Sequence, residues 1–200
     1  MIKNIIFDMG NVILDYNPEQ ITRCFTDNDE DVKIFTTELF SNKEWVMLDQ
    51  GLIDECQAFK GICERIPERL YPLCAEILMT WYKYFRAIDA MIPVVRELKE
   101  RGYQLYMLTN AHLSFWKYHP NSPAFGLMDG FVVSSEEKIL KPDERIYRIL
   151  LERFGLKAEE CFFTDDAPAN IEGAAKVGIR GHIFDGDPQK LLDAIRNADK

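Results

Sequence analysis

Asn4-Ile5-Ile6-Phe7-Asp8-Met9-Gly10-Asn11-Val12-Ile13-Leu14-Asp15 opens the first apolar run of the chain and then breaks it with a carboxylate. Ile5, Ile6 and Phe7 read as a short strand buried on both faces, because no polar residue alternates with them. Asp8 follows at once, and Gly10 lets the backbone turn sharply two residues later. A charge in that place belongs at the carboxyl edge of a sheet, where open α/β folds hold their ligands. Taken alone, an Asp just before a Gly reads equally well as a turn residue.

The rest of the chain supplies the sheet. Between residues 17 and 86 there is helical periodicity broken by turn residues and no convincing strand, which predicts helices over 19–25, 31–39, 43–48, 54–65 and 68–85. From residue 89 onward, helix and strand alternate: helix 92–101, strands 104–109 and 130–134, helix 143–154, strand 161–165, helix 171–177, strand 182–184 and a final helix from Pro188. Alternation of this kind predicts an α/β fold with a parallel sheet covered on both faces. The helical block is then a cap inserted after the first strand. The expected division is a core domain of residues 1–16 and 88–200 and a cap domain of residues 17–87.

Composition narrows the function. With 200 residues, 47% apolar and 28% charged, the chain can build one good core plus a small lid. No run approaches the length of a membrane span. Met1-Ile2-Lys3 leads straight into the strand with no small-residue cleavage site, so no signal peptide is expected. The five cysteines are odd in number and form no C-x-x-C pair, which predicts reduced thiols in a cytoplasmic protein rather than a disulfide frame or a zinc site. A net charge of −9 disfavours nucleic acid and anionic membrane as partners, and any anionic substrate then needs a local cation.

Three further segments resemble the first in placing polar groups at strand ends. Leu105-Tyr106-Met107-Leu108 runs into Thr109-Asn110, whose hydroxyl and amide can donate to an anion, although Asn110 could instead cap a helix from Leu113. Lys141 stands just before a helix whose start is marked by Pro142, and a lysine there is a point charge suited to phosphate or simply a solvated one. Cys161-Phe162-Phe163-Thr164 runs into Asp165-Asp166, which either cap the next helix or, as paired carboxylates, call for a counter-ion such as Mg²⁺. Each alternative is plausible alone. In the order Asp, Thr, Lys, Asp-Asp, the four ends amount to a nucleophile, a phosphate hydroxyl, a phosphate cation and a metal pair.

On these residues the chain resembles the haloacid-dehalogenase (HAD) hydrolase superfamily. The elements are Phe7-Asp8-Met9-Gly10-Asn11-Val12, Leu108-Thr109-Asn110, Lys141-Pro142 and the run from Thr164-Asp165-Asp166 to Asn170-Ile171-Glu172-Gly173-Ala174. Within it, Asp8-Met9-Gly10-Asn11-Val12 with Asp15 is most similar to the bacterial α-glucose-1-phosphate phosphatase-like group. The resemblance implies a doubly wound, Rossmann-like parallel sheet of order 5-4-1-2-3 with an inserted small helical cap. It implies a phosphatase in which Asp8 attacks phosphorus to form an aspartyl-phosphate. Mg²⁺ would be held by Asp8, the Gly10 carbonyl and Asp166, with Asp165 beside or behind them, while Lys141, Thr109, Asn110 and nearby amides take the phosphoryl group. The expected partner is a small phosphorylated metabolite, handled by a monomer or weak homodimer.

One departure matters. Most phosphatases of this superfamily carry a second Asp two residues after the nucleophile as general acid and base, and here that residue is Gly10. Losing such a group costs about 10²–10⁴-fold. An acidic leaving group would tolerate the loss best, so a sugar 1-phosphate is the expected substrate, and rates are expected to rise steeply with leaving-group acidity. Asp15 is a weak candidate for the missing role. A non-catalytic phosphate-ligand binder remains an alternative, as does a 2-haloacid dehalogenase, which would leave Asp165-Asp166 without purpose. A phosphonate hydrolase would need a cap lysine of depressed pKa, and Lys43, Lys60 and Lys83 lack such a context. Specificity is expected from the cap and from the aromatic loop of residues 111–120, with Trp45 and Trp81 in the cap core.

Overall fold

The computed structural model describes residues 1–119 and 122–199. Its seven strands are β1 (Asn4–Phe7), β2 (Leu14–Asp15), β3 (Arg86–Ala87), β4 (Gln104–Thr109), β5 (Gly130–Val133), β6 (Cys161–Asp165) and β7 (Arg180–Ile183). The helices are α1 (Pro18–Arg23), α2 (Asp29–Phe35), α3 (Lys43–Asp49), α4 (Glu55–Cys63), α5 (Tyr71–Thr80), α6 (Met91–Glu100), α7 (Phe115–Tyr118), α8 (Ser134–Glu137), α9 (Glu144–Phe154), α10 (Pro168–Lys176) and α11 (Pro188–Ala198). Five strands form a parallel sheet in the spatial order β5-β4-β1-β6-β7. Numbered along the chain as core strands, this is the order 5-4-1-2-3 that the resemblance implies.

Period-two alternation explains why the central strands read as unbroken apolar runs. On β1, Ile5 and Phe7 join one apolar cluster with Leu105, Met107 and Phe162, under α6 and α11. Ile6 faces the opposite way, into a second cluster with Leu108 and Phe163 under α9 and α10. Both faces are covered, so Ile5, Ile6 and Phe7 are all apolar. Helix starts follow side-chain capping: Asn17, Asn28, Asp54, Asp143 and Asp187 each accept backbone N–H bonds from the first turn of α1, α2, α4, α9 and α11.

The chain leaves the sheet through β2 and returns through β3, a two-residue antiparallel pair that the sequence pattern does not announce. Between them lie α1–α5. The continuous helix expected over 68–85 is instead a 3₁₀ turn at Glu68–Leu70, α5, and a second 3₁₀ turn at Trp81–Tyr84. Pro72 lies in the first turn of α5, where its missing N–H costs nothing but where a helix can only begin. The expected helix over 31–39 divides into α2 and a π-helical turn at Thr36–Phe40. All five cysteines are free, and Cys24 and Cys56 are exposed rather than packed as small hydrophobes. Among the described residues no helix is long and apolar enough to cross a membrane.

The cap meets the sheet domain closely at Gly51. Gly51 has φ of 66°, and a Cβ there would run into the carbonyl oxygen of Ser135. Around it, the Ser134 hydroxyl donates to the carbonyl of Asp49, Lys138 Nζ donates to the carbonyl of Gly51, and Gln50 Nε2 donates to the carbonyl of Lys138 at 3.1 Å. Gly51→Ala should therefore destabilise the protein by about 2–4 kcal/mol in denaturant unfolding, combining a left-handed backbone penalty with overpacking. A loss under about 0.5 kcal/mol, the size of an ordinary surface substitution, would show that the cap seats elsewhere.

Candidate active site

The sheet register brings the sequence-picked acids to one edge. Phe7 pairs with Met107 on one side and Thr164 on the other, so Asp8 stands level with Leu108 and Asp165. Lys141 reaches this edge from the loop before α9. Its Nζ donates to Asp8 Oδ1 at 2.6 Å, to Asp165 Oδ2 at 2.7 Å and to the Leu108 carbonyl at 2.9 Å. All three ammonium protons are thus used, and the side chain is 1% exposed.

Asn110 does not cap a helix. Its amide nitrogen donates to the Lys141 carbonyl at 3.1 Å, and its oxygen accepts from the Lys141 N–H at 2.8 Å, so it fixes the lysine backbone against β4. Asp165 is fully engaged. Oδ1 accepts from Ala167 N–H and Asn170 Nδ2, and Oδ2 accepts from Lys141 and Asn170. Asp166 Oδ2 accepts only from Asn11 Nδ2, at 2.8 Å. Asn11 has φ of 55°, a left-handed conformation that Asn tolerates, and its oxygen also receives the Tyr16 N–H at 3.1 Å.

Asp8, Asp165 and Asp166 each present a carboxylate oxygen within 4.8 Å of the others. An all-oxygen set of this kind fits a hard dication, with Asp8 and Asp166 the two carboxylates that retain room for one. Burial pushes the Asp8 carboxyl up, the Lys141 ammonium opposes this, and the like charge of Asp165 adds to the rise. Burial also disfavours the Lys141 charge, but Asp8 and Asp165 outweigh it and hold the ammonium protonated.

A cavity of about 270 Å³ opens onto this edge. Asp8, Gly10, Asn11, Asn110, Lys141 and Asp166 form its polar side. Thr109 is buried at 1% exposure at the end of β4 and does not line it. Asp15 is exposed and lines a separate small pocket with Asn17 and Arg86. The opposite wall comes from the cap, where Phe40, Trp45, Trp81 and Phe85 face the acids. Trp45 and Trp81 are therefore both cap core and cavity wall.

The aromatic loop of residues 111–120 plays a different part from the one expected. Phe115 is fully buried against Phe125 and Phe131, and Trp116 turns outward with Nε1 on Glu136 at 2.8 Å. Pro120 lies outside the described residues. Only Ala111 and His112 of this loop line the cavity. The His112 ring stacks on Trp81, with centroids 5.0 Å apart, and meets Trp45 edge-on at 5.2 Å. Its Nδ1 lies 3.2 Å from the Ser114 hydroxyl, while Nε2 and the buried Tyr16 hydroxyl have no hydrogen-bond partner among the described residues.

Sequence reasoning missed Asp49. It ends α3 and lines the same cavity, where the nearby backbone N–H of His112 favours the charged form of its carboxyl. Burial pushes its carboxyl well above the ordinary range, and the charge of Asp8 pushes the same way.

The haloacid dehalogenase-like hydrolase family model matches residues 2–178, and so spans the strand-end acids and Lys141. The chain belongs to the haloacid dehalogenase-like hydrolases. It is 30% identical over 190 residues to a sesquiterpene phosphatase of Aspergillus oryzae, covering 92% of this hydrolase and 90% of the relative. It is 24% identical over 193 residues to a D-ribitol-5-phosphate phosphatase of Bacteroides thetaiotaomicron, covering 90% of each. The crystal structure of a HAD family enzyme from Bacteroides thetaiotaomicron, in complex with magnesium and inorganic phosphate, superposes with a TM-score of 0.74 at 21% identity. The match covers 96% of this hydrolase and all of that chain, and at that identity it shows the fold alone.

The site yields a test of its own. Burial, helped by the charge of Lys117, lowers the His112 pKa to about 3. An unfolded imidazole titrates near 6.5, so the neutral buried ring favours the fold above that pH and its contribution is lost as pH falls from 6.5 toward 3. In ¹H–¹³C NMR spectra the His112 ring resonances should stay fixed between about pH 5 and pH 8. A midpoint near the ordinary histidine value would mean that the ring is not enclosed by the two tryptophans.

Proposed function

We propose that this hydrolase is a Mg²⁺-dependent phosphatase acting on a small phosphate monoester through an aspartyl-phosphate on Asp8. The observation that carries the reading is the buried Asp8 carboxylate, held through Oδ1 by Lys141 at the edge where Asp166 completes an acidic cluster. In that reading Asp8 attacks phosphorus with the leaving oxygen in line, and water then cleaves the acyl phosphate. Lys141 neutralises charge on the phosphoryl oxygens while its bonds to Asp165 and Leu108 keep it aimed. Asn110 positions Lys141 through the backbone. Thr109 is buried and does not line the cavity, so it is left without a direct part in this reading. Asp8, Asp166 and the Gly10 carbonyl would hold Mg²⁺, which when bound screens the negative charge between nucleophile and phosphate. Asp165 serves Lys141.

The cap wall points to the organic half of the substrate. Flat aromatic side chains suit the face of a sugar or polyol, and the unpaired Tyr16 hydroxyl and His112 Nε2 offer partners for its hydroxyls. A sugar phosphate is accordingly the proposed class. The expectation of a 1-phosphate rests on Gly10 alone, and the Asp49 carboxyl in the same cavity weakens it, so the position of the ester is left open. A 2-haloacid dehalogenase would have no use for Asp166, and this disfavours that reading.

Asp8→Asn should abolish phosphate release from p-nitrophenyl phosphate in Mg²⁺ while the fold persists, since an amide cannot attack phosphorus. More than a few per cent of wild-type rate in the pure variant would overturn the assignment. A chelator should stop turnover and Mg²⁺ should restore it, and Asp166→Ala should raise the Mg²⁺ concentration for half-activity far more than Thr109→Ala. Unchanged hydrolysis in a metal-free sample would mean that the acidic cluster has another purpose. A protein that binds phosphate but never releases it from an ester would favour the non-catalytic alternative.

A further inference from the structure

Gly10 leaves a chemical gap and not a steric one. A Cβ built there meets nothing closer than the Tyr16 Cβ at 3.7 Å, an ordinary contact, so the backbone would accept a side chain. The acid that phosphate ester cleavage needs is then to be sought elsewhere on the cavity wall. Asp15 is excluded by its separate pocket. Asp165 is spent on Lys141 and Asn170. Asp166 belongs to the acidic cluster. Of the other lining residues, Phe40, Trp45, Trp81 and Phe85 cannot transfer a proton, burial leaves the His112 ring without one to give and raises the Tyr16 hydroxyl far above the range of an acid, and Asp49 is the remaining carboxyl.

Resting on the phosphatase reading, we propose that Asp49 is the catalytic acid and base, supplied by the cap in place of the residue missing at Gly10. In the first step Asp8 forms its bond to phosphorus, the bond to the leaving oxygen breaks, and that oxygen takes the proton of the Asp49 carboxyl. In the second step the Asp49 carboxylate takes a proton from water as the water oxygen bonds to phosphorus. The Asp8–phosphorus bond breaks, inorganic phosphate leaves, and Asp8 returns as carboxylate with Asp49 protonated again.

Three features suit Asp49 to this part. Its backbone is anchored, because the Ser134 hydroxyl donates to the carbonyl of the same residue. Lys138 and Gln50 pin the next turn to the core. Its surroundings favour the protonated form: the wall about it is aromatic, Asp8 and Asp166 facing the cavity are acidic, burial keeps the cavity-lining His112 ring and Tyr16 hydroxyl neutral, and the Lys141 ammonium is taken up by Asp8, Asp165 and the Leu108 carbonyl. A phosphate dianion entering the cavity adds like charge and strengthens that preference. Finally, Asp49 lines the same cavity as Asp8 and lies near enough to feel its charge, so an ester held by Asp8 comes within that cavity's reach of Asp49.

The test compares esters in the presence of Mg²⁺. The wild type should hydrolyse p-nitrophenyl phosphate and alkyl phosphates such as sugar phosphates with a shallow dependence on leaving-group acidity. Asp49→Asn, which keeps the shape of the side chain, should lose about 10²–10⁴-fold on alkyl esters and less than about tenfold on p-nitrophenyl phosphate. The retained aryl rate also proves that the variant is folded. Gly10→Asp in the Asp49→Asn background should restore part of the alkyl rate and flatten the dependence again. Equal losses on both esters, or no loss on either, with an active wild type, would overturn the proposal and leave the phosphatase reading standing. A wild type inert toward every phosphate ester would overturn both.

Discussion

The ammonium of Lys141 is the contact on which the site depends. It joins the ends of three neighbouring strands, β4 through the Leu108 carbonyl, β1 through Asp8 and β6 through Asp165. Without it, two carboxylates would face each other inside protein at a cost that neither could bear as an anion. With it, each charge is paired and hydrogen-bonded, which is the condition under which burial of charge is tolerated. Removing one member of such a buried set typically costs about 3–5 kcal/mol, because the remainder is left uncompensated. The lysine therefore stabilises the sheet edge and readies it to receive an anion by one and the same set of bonds. That arrangement also fixes the roles of its neighbours. Asn110 gives up any part as a helix cap to hold the lysine backbone, and Asn170 fills the remaining lone pairs of Asp165.

The cap answers this polar edge with an apolar one. Phe40, Trp45 and Trp81 pack on each other at centroid distances of 4.7 to 6.4 Å, and His112 of the core slots against the two tryptophans. Burial there lowers the pKa of the ring to about 3, so the junction between core and cap favours its neutral form. Low polarity on that wall strengthens every charge interaction at the opposite edge. The wall owes its position to a few polar bonds around Gly51, where two backbones approach too closely for any side chain.

Much of this was legible in the sequence, for a physical reason. A strand buried on both faces is built mainly of apolar residues, so Asp8, Thr109 and Asp165 stand out at the strand ends by their charge or polarity, and parallel pairing brings all such ends to one edge. Boundaries at β4 and β6 were readable for the same cause. The cap was harder. Short helices that bury one face against several partners carry weak periodicity, and the 68–85 segment looks continuous because Pro72 is harmless in a first turn. The aromatic wall was sought in the loop of residues 111–120, since that loop adjoins the strand end in sequence. It comes instead from Phe40, Trp45, Trp81 and Phe85, which precede the loop in the chain and are brought over by the fold. Asp49 was invisible for a like reason: in Val46-Met47-Leu48-Asp49-Gln50-Gly51 it reads as an ordinary polar residue at a helix end, and only the tertiary contact with His112 gives it another meaning.

Placing the acid on the cap has a consequence that a residue at Gly10 would not have. A donor next to the nucleophile accompanies it whatever the cap does, and is as available to solvent as to an ester. A donor on the cap meets the leaving oxygen only when the cap covers the strand ends, which is also when water is excluded and the aromatic wall touches the organic group. Protonation, desolvation and recognition of the substrate would then come from one wall, and an ester too small to fill the cavity would gain little from any of the three. Specificity and rate are in this way tied to the same contact between cap and core, the one that Gly51 makes close enough to hold.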